Sequence, residues 1–340
     1  MHATHALALC QPGTERWLKE EVARTRPDLR PGFQRPGLVT FRAERGFGPD
    51  EVPESVFGRV WAASAGSPGD AGAIAATAGR VGARVLWVAP RDQGVPDEVA
   101  PARQAAADAD AAAWEAAIVT ASGGTLAVRT PRLGELVLDV VTSPGEAPVV
   151  GWHAHGALRH PAAAGRLVRE LPGDVPSRAW AKVVEGLAFA GHPVRKGEGI
   201  LEFGAAPGGG TRAFVEAGAR VVAVDPQPLD AGVRALPGVT YVQAPIGEIA
   251  LADLPRDAAW LACDAGIPPV HVLGAVRRIL PVVKRDLRGF LWTLKLHDDA
   301  TVRSLPKVFS QLGALGFGAV RARQLAANRR DVFVFATRRA

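Results

Sequence analysis

From about residue 179 onward the chain alternates short apolar runs with helix-length segments, and no other feature narrows its fold so far. GILEFGA, RVVAVD, VTYVQ, WLACD and GFLWTLKL are each one strand long and apolar nearly throughout. Strands of that kind are buried on both faces, which calls for a parallel sheet with helices packed on either side. Two final runs, GAVRARQL and DVFVFAT, are separated only by AANRR, too short for a crossover, so they are expected to pair antiparallel at the sheet edge. The fold class expected is α/β: a doubly wound, Rossmann-like sheet with an antiparallel last strand, preceded by an α+β region.

That preceding region divides less sharply. HALALC, a helix from about Gly13 to Arg24 and GLVTFRA read as strand, helix and strand, a small α+β unit within 1–52. From 53 to 156 helix-like stretches (AGAIAATAGRVG and the Ala-rich 103–120) alternate with strand-like ones (ARVLWVAP, GTLAVRT, ELVLDVVTS, VVGWHAHG). Asp at helical spacing in the Ala tract reads as a solvated helix rather than a site. The stretch 157–178 mixes Pro, Gly and Arg without periodicity and reads as a linker, leaving 179–340 as the α/β domain.

Charge and cysteine usage bound the setting. The 340 residues hold 40 Lys and Arg against 34 Asp and Glu, a tilt that mildly favours a polyanionic partner such as nucleic acid and that is equally explained by a GC-rich coding bias behind the abundant Ala, Arg, Gly and Pro. Arg159, Arg166 and Arg169, spaced through the linker, are expected to help hold such a partner. Cys10 and Cys263 each sit inside an apolar run, so no disulfide is expected, in keeping with a reducing cytoplasm. MHATHALALC lacks a basic leader segment, and no window approaches the roughly 18 apolar residues of a membrane span, so the expectation is a soluble, cytoplasmic protein.

The chemistry is expected around the turn that follows the first strand of the α/β sheet, Glu202-Phe-Gly-Ala-Ala-Pro-Gly-Gly-Gly210, which opens the helix TRAFVEAG. Strand, glycine turn and helix N-terminus in that order make a ligand site, with Glu202, Gly204, Ala205, Pro207, Gly208, Gly209 and Gly210 as candidate cofactor contacts. The next strand ends at Asp225, about 20 residues on, where a carboxylate can accept hydrogen bonds from a ribose diol. The turn is not G-x-G-x-x-G, and its proline removes a donor that a pyrophosphate would use, so S-adenosylmethionine fits better than NAD.

Ligands of such sheets lie beyond the carboxyl ends of the parallel strands. The polar residues that end the apolar runs fall there: Gly204, Asp225, Asp264 in WLACD and Lys295 in FLWTLKL, with Asp331 opening the antiparallel strand at the same edge. Each alone reads equally well as a cap or an end-of-strand charge. Their convergence on one rim is harder to dismiss.

Lys182 in PSRAWAK, the turn EFGAAPGGG, Asp264 in CDAG, Lys295 in TLKL and the terminal RQLAANRRDVFVF occur together in the order that resembles the RlmM-type 23S ribosomal-RNA cytidine 2′-O-methyltransferases, within the FtsJ-like group. LCQPGTERWLKEE followed by GLVTF is similar to the start of that family. The resemblance implies a ferredoxin-like unit over 1–52, a THUMP-like RNA-binding region over 53–156 and an S-adenosylmethionine-dependent methyltransferase domain over 179–340. Its partner would be RNA, namely 23S rRNA or a large-subunit precursor. It further implies a catalytic tetrad of Lys182, Asp264, Lys295 and Asp331, with aspartate at the last position where the family has glutamate. Asp264 also counts among the cofactor contacts. Glu202 and Gly210 stand where the family has aspartate and tryptophan, and Pro245 where it has an acid.

Attack of a ribose oxygen on a sulfonium methyl needs alignment, a proton acceptor and charge stabilisation, and no metal. Two close lysines and partial burial are expected to depress one ammonium. Lys295 is then the base or its partner, Lys182 stabilises the alkoxide, and Asp264 with Asp331 orients both amines. A protein that binds RNA and S-adenosylmethionine without catalysis is the alternative, and an NAD-dependent oxidoreductase is a third reading that the turn disfavours.

Overall fold

The computed structural model describes residues 1–94, 98–167, 171–283 and 285–338, and the chain divides into two compact units, Met1–Leu167 and Val168–Ala340. The first runs β1 (Ala3–Leu9), α1 (Glu15–Thr25), β2 (Leu29–Arg35), β3 (Leu38–Phe47), β4 (Val60–Gly66), α2 (Ala71–Val81), β5 (Val85–Pro90), α3 (Pro101–Ala121), β6 (Leu136–Thr142) and β7 (Val149–Ala154). Its seven strands form one sheet in the order β2-β3-β1-β4-β7-β6-β5. All neighbours are antiparallel except β5 and β6.

Residues 1–52 and 53–156 therefore share a sheet, because β1 pairs with β3 on one edge and with β4 on the other. α2 starts where the Asp70 carboxylate accepts from Ala73 N at 2.8 Å and stops at Gly82 in the left-handed region, φ 78°. α3 buries only Ala107, Ala111 and Ile118, one narrow stripe, and so is the solvated helix its aspartates imply. GTLAVRT forms no strand: Ala127 makes an isolated bridge to Val85, and Arg129 closes a turn on Glu135.

The boundary between the two units, after Leu167, falls inside the stretch 157–178, and the part of that stretch before it packs on the first unit. Arg159 is half-buried and its guanidinium donates to the carbonyls of Trp61, Pro49 and Glu51. Burial pushes its pKa down to about 10. Arg166 sits 3.7 Å from Asp92, and Arg169 lies outside the described residues. The expected role of Arg159 in holding RNA is corrected: its donors are spent on main-chain carbonyls inside the first unit.

The second unit runs α4 (Ala179–Phe189), β8 (Gly199–Phe203), α5 (Gly209–Glu216), β9 (Arg220–Val224), α6 (Ala231–Arg234), β10 (Val239–Val242), β11 (Ala258–Cys263), α7 (Pro269–Val283), β12 (Gly289–Lys295), α8 (Asp299–Ala314), β13 (Phe317–Arg323) and β14 (Asp331–Arg338). The sheet order is β10-β9-β8-β11-β12-β14-β13. The first five strands are parallel, and β14 lies antiparallel between β12 and β13. This is the doubly wound α/β sheet expected, with its last two strands paired as expected. Strand order reverses between β8 and β11, which places a crevice beyond the carboxyl ends of those two strands. Ile200, Leu201, Phe203, Trp260 and Leu261 fill the sheet centre at or below 1% exposure, which is why these strands carry no alternation. Cys10 and Cys263 are free and buried. Among the described residues no helix is long and apolar enough to cross a membrane.

Candidate active site

Both ends of the switch point carry the residues singled out by sequence. β8 runs into Gly204, whose φ of +72° belongs to the left-handed region. A Cβ there would collide with the backbone of Asp264 and Ala265, so glycine is demanded by how closely the loops after β8 and β11 approach. Gly208, at φ +122°, would aim a Cβ at Val233 Cγ1 of α6, 2.9 Å away. Gly209 would aim one at Ser177, including its carbonyl oxygen at 2.5 Å, just ahead of α4. The missing side chains of the turn thus face protein, and the turn is wedged between α4, α6 and the loop after β11.

Glu202 does not stand on the rim. It is 2% exposed, lies beneath α5, and its Oε2 is 2.5 Å from Thr211 Oγ1. Burial pushes its carboxyl up to about 8 against the Thr211 hydrogen bond, and Asp264 and Asp225 push it in the same direction as burial. A Cβ on Gly210 would fall far inside van der Waals contact of Glu202 Oε1. The longer acid at 202 and the absent side chain at 210, which read as two separate departures from the family pattern, occupy one space.

Asp225 follows β9 and uses both oxygens on backbone, accepting from Ala206 N at 3.1 Å and from Gln227 N at 2.8 Å. Each carboxylate oxygen has a second lone pair, which leaves acceptors for a diol. Tyr241 on β10, absent from the sequence-based site, ties the same turn by donating to the carbonyls of Asp225 and Gln227. Ser177 Oγ is buried with no partner among the described residues and lies beside Gly209. An acid free to take a diol, an orphaned hydroxyl at the turn and a proline in place of a phosphate donor together fit S-adenosylmethionine.

The four charged residues named as a tetrad meet. Lys182 on α4 donates to Asp331 Oδ2 at 2.6 Å, and Lys295 lies 3.4 Å from the same oxygen while also pairing with Asp264 Oδ1. Strand register makes this meeting: Lys295 ends β12 directly across from Asp331, which opens β14. Aspartate therefore spans both lysines without the extra methylene of glutamate. Lys182 reaches the strand because Gly186, one turn on, has no side chain; a Cβ there would enter the Phe333 ring. Lys182 and Gly186 share a helix face, and Asp331 and Phe333 share a strand face, so two layers set one distance.

The electrostatics correct one expectation. Burial alone would lower the Lys295 ammonium, but Asp264 and Asp331 outweigh it and hold Lys295 above the usual lysine range. The carboxylates touch Lys295 and Lys182 does not, so no depression by a neighbouring lysine results. Asp331 is buried, which would raise its carboxyl, yet Lys182 and Lys295 hold it below the usual carboxylate range. Asp264 is the opposite case, with burial pushing it up despite Lys295 and Lys182.

No family model matches the chain. It is 28% identical over 174 residues to Ribosomal RNA large subunit methyltransferase M of Chromohalobacter salexigens, covering 48% of each chain. It is 34% identical over 116 residues to the protein of that name in Alkalilimnicola ehrlichii, covering 32% of this chain and 31% of the relative. Among solved structures, TrmN from Thermus thermophilus aligns over 98% of this chain and 99% of its own at 16% identity, with a TM-score of 0.37. The resemblance read from the motifs thus extends to curated sequence relatives named Ribosomal RNA large subunit methyltransferase M, and the chain spans about half the length of two of those it matches.

Proposed function

We propose that this protein transfers the methyl group of S-adenosylmethionine to a ribose 2′-hydroxyl of RNA, with 23S rRNA or its large-subunit precursor as substrate. The observation that carries the reading is the continuous chain Lys182, Asp331, Lys295, Asp264 at the strand edge beside the glycine turn. The printed names of the relatives, which are methyltransferases of large-subunit ribosomal RNA, support the substrate class. Cofactor contacts are assigned to the turn from Gly204 to Gly210 and to Asp225, with Glu202 as the buried acid that sets the turn on α5. The joining of the four charged groups supports catalysis over a binding-only role.

Bound S-adenosylmethionine supplies an electrophilic methyl on a cationic sulfur. Everything else falls to the chain. Asp331 and Asp264 hold the two amines at fixed positions, so little reorganisation is needed when charge develops on the ribose oxygen. Lys295 is held as an ammonium, and to act as base it must first pass a proton to Asp264, whose carboxyl burial has already raised. The amine so formed takes the hydroxyl proton as the oxygen–carbon bond forms and the carbon–sulfur bond breaks. One proton is gained by the Lys295–Asp264 pair and is later lost to water. Lys182, charged and set by Asp331, stabilises the forming alkoxide.

The reading is tested with labelled S-adenosylmethionine and ribosomal RNA from a strain lacking this protein. Label is expected in a nucleotide whose 3′ phosphodiester resists alkali, because a methylated 2′-oxygen cannot attack it. Label confined to alkali-sensitive nucleotides would place the methyl on a base and overturn the ribose assignment. No transfer by a protein that binds S-adenosylmethionine would overturn the reaction.

A further inference from the structure

Charge is not where an RNA-capturing N-terminal region would put it. The unit Met1–Leu167 has 17 Lys and Arg against 18 Asp and Glu, whereas Val168–Ala340 has 23 against 16. The excess lies at the end of the chain: from Thr301 to Ala340 there are eight Lys and Arg, and the sole acid is Asp331, already spent on two lysines. Several of these arginines are committed inside the fold. Arg321 and Arg323 lie over the Phe189 ring, and Arg338 lies over Phe317 and donates to the Leu315 carbonyl. Arg330, by contrast, is exposed at the last position before Asp331 and has no ion pair among the described residues, and Arg329 beside it is exposed as well, with its main-chain N–H donating to Asp331 Oδ1.

The loop that presents them is built with buried polar groups. Glu185, 2% exposed and one residue short of Gly186 on α4, accepts from Ala327 N at 2.6 Å. Gln324, fully buried, donates through Nε2 to the Arg329 carbonyl at 2.9 Å. Asn328, equally buried, accepts from Leu325 N at 2.9 Å. The Arg330 carbonyl accepts from Leu296 N at 2.7 Å, next to Lys295. The carboxylate and one atom of each amide are thus used to fix the main chain of a seven-residue surface loop, while Gln324 Oε1 is buried with no hydrogen-bond partner among the described residues. Of the acids that follow Lys295 in the chain, Asp298 is turned to the N-terminus of α8, where it accepts from Thr301, and Asp299 lies 3.9 Å from Arg303.

We propose that loop 324–330 is an RNA-phosphate clamp, with Arg329 and Arg330 as positioning residues that grip the backbone flanking the ribose delivered to the tetrad. The proposal rests on the reading of the site as an RNA methyltransferase. Arginine forks match phosphate oxygens in geometry as well as charge, and fixed main chain spares the ordering entropy of the grip.

Arg330→Ala, Arg330→Lys and the double variant Arg329→Ala with Arg330→Ala are compared with the natural protein in methyl transfer to the same ribosomal RNA. The KM for RNA is expected to rise about tenfold per arginine removed, with kcat within a few-fold and S-adenosylmethionine affinity by calorimetry unchanged. The slope of log KM against log salt should fall by about one per lost contact, and Arg330→Lys should recover part of the KM. Unchanged KM and salt slope in variants that fold, while the natural protein methylates RNA, would overturn the clamp. So would a loss confined to kcat, which would mean that the arginines support the tetrad and not the RNA. If the natural protein methylates no RNA, the methyltransferase reading itself is lost, and the clamp with it.

Discussion

Glu202 offers the sharpest test of the site's electrostatics, because one atom changes and the consequence depends on pH. Its carboxyl is fully buried and is pushed up to about 8 from an ordinary value of 4.5. Between those two values the folded protein keeps the proton while the unfolded chain releases it, so unfolding sheds a proton and stability falls as pH rises through that window. Each pH unit is worth about 1.4 kcal/mol, which over the whole window gives about 5 kcal/mol as an upper bound before the site relaxes. Glu202→Gln keeps the shape of the protonated acid and its reach to Thr211 but cannot ionise. Near pH 5 the variant should be within about 1 kcal/mol of the natural protein, since both hold a neutral group. By pH 8 it should be the more stable by several kcal/mol. Urea unfolding followed by tryptophan fluorescence from pH 5 to 9 reads the difference directly, and taking the difference cancels the titrating groups that do not couple to Glu202. A gap that stays constant across that range would refute the argument, since it would mean that Glu202 ionises alike in the folded and unfolded chain.

Gly210→Ala should gain about 1 kcal/mol of helix propensity and lose about 1 to 3 to overpacking against Glu202; Glu202→Asp shortens the side chain and draws back the carboxylate oxygen that the new methyl strikes, so a double-mutant cycle by urea unfolding should show at least about 1 kcal/mol of favourable coupling, and additivity would break the link between the two positions. Gly186→Ala forces α4 away from Phe333, and since a misplacement of order 1 Å can cost about a hundredfold, methyl transfer should fall far more than S-adenosylmethionine binding, measured by calorimetry. Asp331→Asn should cut turnover with cofactor affinity held, and Asp331→Glu should not raise it, because aspartate already reaches both lysines; a gain on Asp331→Glu would show that the site is degenerate. Lys295→Arg keeps the charge but cannot surrender a proton, so it should abolish transfer, and full activity would reduce Lys295 to an electrostatic role.

Much of the second unit was legible because its signals are local. A strand apolar on both faces announces a parallel sheet, and a polar residue that ends such a strand announces the rim, so Asp264, Lys295 and Asp331 could be placed before any coordinates. β2 was not legible, since Pro31 and Gly32 break its alternation and the bulge between Pro31 and Gln34 lets the pairing with β3 survive that break. The lysine electrostatics went astray for a related reason: order along the chain says that two lysines and two aspartates share a rim, but the sign of the shift depends on which pair touches. Only the register of Lys295 against Asp331 decides that. Gly186 did leave a trace. A glycine inside a helix costs about 1 kcal/mol relative to alanine, and a helix that tolerates one a single turn after a functional lysine does so because something lies too close for a side chain. The same logic joins Glu202 to Gly210. Departures from a family pattern that look like two losses when read along the chain are one exchange of volume when the strand and the helix are set face to face, so a departure is informative about decay only after its spatial neighbour has been checked for the complementary change.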